Sequence, residues 1–174
     1  MRRLAASLDV QPSALYWHFP NKQTLLAELA DRIVAQADAR SVPDAATRTH
    51  AAASALRDAL LAYRDGAEVV SSTLALGLGA TTARDLLTAA IAADGFDERV
   101  APRAATALLH FVMGHVSHEQ QRLQYDSVGV VAPEAAASPD CDGDPAVEFA
   151  FGVDLLVGGL GLARSGAGGS AGAH

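Results

Sequence analysis

Tyr16, Trp17 and His18 stand in one run, Leu15-Tyr16-Trp17-His18-Phe19-Pro20-Asn21-Lys22, close behind Arg2 and Arg3. Three large polar-tipped rings on one short segment imply a partner, because water alone is a poor neighbour for them. Their chemistry fits a nucleic acid groove: rings meet thymine methyls, and hydroxyl, imidazole and cationic groups meet phosphates. The competing reading buries Tyr16 and Trp17 as ordinary packing residues. Charge is distributed to suit the first reading. Arg2, Arg3 and Lys22 against Asp9 leave the first 22 residues at about +2, in a chain whose formal net charge is −7. A small basic head on an acidic body favours local contact with a polyanion that the body repels.

Other candidate chemistry is thin. Cys141 is the single cysteine, so an internal disulfide and a cysteine-based zinc site are both excluded. His115 and His118 lie three apart, with Glu119 next, but His110 sits roughly 140° around the helix from His115, so the three do not converge on a metal. No metal or other cofactor is expected. Neither a Ser/His/Asp set, a carboxylate pair nor a phosphate loop is apparent; Gly77-Leu78-Gly79 lacks the strand and loop pattern of one. An enzyme is therefore not expected. Residues 146–163 are the most apolar stretch, yet Glu148, Asp154 and four glycines interrupt them, which argues against a membrane span. The start lacks a secretory pattern, and the chain reads as cytoplasmic.

The elements that must position these residues are helical. Half of the 174 residues are hydrophobic, only 5% are aromatic, and alanine and leucine dominate the apolar set, so an all-α fold is expected. Residues 2–8 predict a short helix, Asp9-Val10-Gln11 a turn, and Pro12 the first position of a second short helix to Phe19. Asn21 is a good N-cap for a third helix to residue 40, with Leu25, Leu29 and Ile33 as its stripe. Asp44 should cap a helix reaching about Arg64. A short piece over 67–73, a helix over 81–93, and long helices over 97–124 and 145–164 complete the set. Residues 125–144, rich in Ala, Pro, Asp and Gly, read as a loop. The domains expected are 1–40 for the DNA-binding head with its connecting helix, 41–164 for a larger body, and 165–174 for a disordered Gly/Ala/Ser tail.

A helix, a tight turn and a second helix form the layout of a helix-turn-helix. Leu4-Ala5-Ala6, Val10, Leu-Tyr-Trp-His-Phe over 15–19, and Asn21-Lys22 together resemble the signature of the tetracycline-repressor (TetR) family. Looser likenesses over 61–67, 110–116 and 149–159 extend the resemblance to nearly the whole chain. It implies that Arg2 reaches a base or phosphate, that Gln11, Pro12 and Ser13 open the recognition helix, and that Tyr16, Trp17, His18 and Lys22 hold phosphates and thymine methyls. Leu4, Leu8, Val10, Leu15 and Phe19 would be module core. It also implies a homodimer through the two long helices, whose apolar surface exceeds one stripe, and a palindromic operator with half-sites roughly 34–36 Å apart.

Two departures from the family shape the expectation. Family modules have a helix ahead of the one at Arg2, so the head reads as truncated, with weak or absent operator binding. The positions of the family's drug–magnesium site fall on Val70, Leu74, His118, Asp38 and Ala52, which argues against tetracycline–magnesium. A pocket of Ala52, Leu56, Leu60, Val70, Leu74, Leu87, Phe96 and Met113, with His110 and His118 as polar members, would suit an apolar or aromatic small molecule. The expectation is a ligand-responsive repressor; the alternative is a ligand-binding or dimerisation protein that has lost DNA binding through that truncation.

Overall fold

Asn21 begins the third helix as its side chain predicts: Oδ1 accepts from the Thr24 amide at 2.8 Å and from the Thr24 hydroxyl at 3.0 Å. The computed structural model describes residues 1–38, 46–78, 81–127 and 144–168. These form α1 (Arg2–Ser7), α2 (Pro12–His18), α3 (Lys22–Val34), α4 (Arg48–Leu61), α5 (Gly66–Ala75), α6 (Thr81–Ala93), α7 (Ala101–Ser127) and α8 (Pro145–Gly168). Every regular element among the described residues is an α-helix. The predicted loop over 125–144 lies mostly outside the described residues, as do Cys141, Asp44 and residues 169–174.

Several boundaries differ from expectation for identifiable reasons. α3 ends at Val34 rather than running to residue 40, because the Gln36 and Ala37 amides turn back to Ile33 and Val34 at 3.1 and 2.9 Å. α4 starts at Arg48, with Thr47 accepting from the His50 amide. Its other cap comes from far away in sequence. The Asp94 carboxylate, at the end of α6, accepts from the Arg48 and Thr49 amides at 3.1 and 2.8 Å and from the Thr49 hydroxyl at 2.6 Å. α7 begins four residues after Asp97, which closes a preceding turn by accepting from the Arg99 amide at 2.7 Å.

The core lies among α4, α6 and α7. Leu56, Leu60, Leu87, Ile91, Val112 and Val116 are fully buried there, with Ala52, Ala53 and Ala105 letting the helices approach closely. α3 packs on α5, and α8 packs on α7 and α4. Arg57 of α4 ties its helix to both α7 and α8. It makes a two-pronged ion pair with Glu119 of α7, at 2.7 and 3.1 Å, and lies over the Phe149 ring of α8 at 5.4 Å. Phe149 in turn stacks on Phe111 of α7 with ring centroids 5.6 Å apart. Gly152 faces that ring so closely that a Cβ would meet Phe111 at 2.2 Å.

α8 also carries an uncovered apolar face. Val147, Phe151, Leu155 and Leu162 are all more than half exposed. By length and composition α8 could cross a membrane over Pro145–Leu162, although Glu148 and Asp154 lie inside that stretch.

Candidate nucleic-acid interface and effector cavity

α1 and α2 pack together around Ala5, the buried residue of these two helices. Between them Asp9 takes a left-handed backbone, φ 53°, which its short polar side chain tolerates, and Val10 donates back to the Ala5 carbonyl at 3.0 Å. This turn sets the angle between the two helices. Pro12 occupies the first position of α2 behind Gln11, so no amide is wasted there.

The aromatic run is outside, not inside. Trp17 is 89% exposed and Tyr16 49%, and His18 is exposed beside Phe19. Arg2, Gln11, Ser13 and Lys22 are exposed too, and Pro12 is half-buried. The structure therefore gathers these residues on a two-helix head with Lys22 opening α3. Leu15 and Phe19 are half-buried as module core requires, whereas Leu4, Leu8 and Val10 stand in solvent.

A second feature lies in the body. A cleft of about 600 Å³ opens between α5, α6 and α7, within the range of small-molecule sites. α5 contributes Ser71, Leu74 and Ala75, and α6 contributes Arg84. From α7 come Leu109, His110, Met113 and Gly114, with Thr106 and Ser117 at the edges. Of the positions expected to line a pocket, Leu74, His110 and Met113 meet here. Ala52, Leu56, Leu60, Val70 and Leu87 are packed in the core, Phe96 is half-buried against it, and His118 is exposed away from the cleft. His115 is held by the Pro145 carbonyl at 3.1 Å and by the Phe111 and Phe149 rings.

Sequence reasoning missed the polar members of the cleft, Ser71, Arg84, Thr106 and Ser117. It also missed Gln120, which is buried and fastens α7 to the turn between α4 and α5. Its Nε2 donates to the Leu60 and Tyr63 carbonyls at 3.1 and 2.8 Å, and its Oε1 accepts from the Ala67 amide at 3.3 Å. A buried glutamine amid apolar positions of a helix was the available signal.

Comparison with known proteins decides the family. A family model described as "Tetracyclin repressor-like, C-terminal domain" matches residues 43–138, and one described as "Bacterial regulatory proteins, tetR family" matches residues 1–29. The chain belongs to the TetR family. It is 34% identical over 175 residues to the tetracycline repressor protein class G of Vibrio anguillarum, covering 91% of this chain and 82% of that protein. It is similar to the crystal structure of BioQ with its double-stranded DNA operator: 37% identity, TM-score 0.67, 91% of this chain and 83% of that one. It is also similar to a TetR variant of Acinetobacter baumannii in complex with minocycline: 33% identity, TM-score 0.64, 94% and 85% of the two chains.

TetR membership makes the chain a ligand-responsive transcriptional repressor with a helical dimerisation domain, and not an enzyme. It also corrects the expectation of a truncated head. The TetR DNA-binding model covers residues 1–29, and α1 and α2 form the helix-turn-helix, with α3 following directly behind it.

Proposed function

We propose that the chain binds a palindromic operator as a homodimer and is released by an apolar or aromatic small molecule held in the α5–α6–α7 cleft. The exposed Trp17-Tyr16 pair on α2 carries this reading, because the described residues leave Trp17 almost bare and Tyr16 half-exposed. Trp17, Tyr16, His18, Lys22 and Arg2 would grip phosphates and thymine methyls, while Gln11, Pro12 and Ser13 present the start of α2 to base edges. The bare face of α8 is assigned to a second copy of the chain rather than to lipid, since Glu148 and Asp154 are poorly placed in a bilayer. Such a regulator works in the cytoplasm, where its operator is.

The packing supports a route from cleft to head. α5 forms one wall of the cleft with Leu74, and its other side packs on α3, the helix that leads from the head. Gln120 pins the start of α5 to α7, so a ligand pressing on its far end would pivot it against α3. Rotation of α3 changes the separation of the two heads, and operator affinity falls.

Selection of bound duplexes from a random pool tests this. The expected product is an inverted repeat with half-sites about one helical turn apart. Trp17→Ala with Tyr16→Ala should weaken binding to it by about tenfold or more while leaving the thermal midpoint unchanged. Enrichment of no inverted repeat, or full binding by the double variant, would overturn the reading.

A further inference from the structure

Arg84 is the one charged side chain lining the cleft among the described residues; no carboxylate lines it. Its guanidinium has no ion-pair partner there, and its backbone carbonyl is occupied by the Thr88 hydroxyl at 2.7 Å. In a chain of net charge −7, an unpaired cation at the mouth of a mainly apolar cleft is a specific electrostatic feature. Leu74, Leu109 and Met113 supply apolar lining to the same cleft. Resting on the reading of this cleft as the effector site, we propose that the effector is an aromatic anion, its rings against Leu74, Leu109 and Met113 and its acidic group paired with Arg84. The planar guanidinium can engage a carboxylate or sulfonate with two parallel hydrogen bonds, and Ser71 and Ser117 supply further donors to the same group.

Two fluorescent probes that share a naphthylamine frame separate charge from shape. 8-Anilino-1-naphthalenesulfonate carries an anionic group and N-phenyl-1-naphthylamine carries none. The chain should bind the sulfonate about tenfold more tightly than the neutral probe, and Arg84→Gln should abolish that difference. The supporting control is Gly114→Trp. Gly114 lines the cleft, and a Cβ there meets nothing within 4 Å, so the new side chain fills the cleft without straining α7. It should remove binding of both probes. An unchanged preference in Arg84→Gln overturns the anion proposal and leaves the cleft assignment standing. Undiminished binding of both probes to Gly114→Trp overturns the cleft assignment itself, and the proposal with it.

Discussion

Replacing Glu119 by leucine should be among the most damaging single changes in the body of this repressor. Both side chains of the Arg57–Glu119 pair are only 13% exposed. Removing the carboxylate strands a guanidinium whose remaining anion is Asp58, 3.6 Å away and largely in solvent. Breaking a buried pair costs about 3–5 kcal/mol, and residual access to water places this case near the lower end, about 3 kcal/mol. Arg57→Met strands the carboxylate instead and also removes the contact with the Phe149 ring, worth about 0.5–1 kcal/mol. The double variant leaves no buried charge, so it should lie within about 1 kcal/mol of the parent. Urea unfolding followed by circular dichroism, at one fixed protomer concentration, measures all four corners of the cycle. The coupling energy should exceed about 2 kcal/mol. Additivity to within about 0.5 kcal/mol would refute the claim that the pair acts as a unit.

Two further changes test the frame around the cleft. Burial opposes ionisation of Asp94, but the Thr49 hydroxyl and the Thr49 and Arg48 amides outweigh it and hold the carboxyl below its ordinary value of 3.8. A folded-state pKa below the unfolded one means that this stabilisation is fully present above about pH 4 and is lost as pH falls through the folded value. Asp94→Ala should cost about 1–2 kcal/mol at pH 7, as loss of a helix cap does, and acid titration of its stability should show a shallower fall below pH 4 than the parent. Equal acid limbs would contradict the capping role. Gly66→Ala would place a Cβ 2.3 Å from the Leu60 carbonyl oxygen, which backbone alone can relieve. A loss of about 1–3 kcal/mol in the same urea assay is expected, and a neutral substitution would show that the turn between α4 and α5 yields easily.

Local signals explain what was legible in the sequence. Pro12 and Asn21 mark helix starts through their own backbone and side-chain chemistry, and the structure places α2 and α3 there. The aromatic run could be judged exposed because its residue types make little sense otherwise. Signals that act across the fold were not legible. Nothing around Arg48 announces that Asp94, at the end of α6, will cap α4. Ala35, Gln36 and Ala37 are ordinary helix residues, so the end of α3 left no mark in composition. The cleft shows the same difficulty more sharply. Apolar periodicity identifies positions that leave water, but it cannot separate a packed core residue such as Leu56 from a cleft residue such as Met113. That distinction depends on where three helices diverge.

The chain contains one tryptophan, and it is Trp17, nearly bare at the tip of the head. Its indole is not among the residues that line the cleft between α5 and α7. Quenching or a blue shift on adding duplex would register docking of the head directly, free of background from other indoles. A reversal of that signal on adding an inducer would then report communication between distant parts of the protein, with no dye attached.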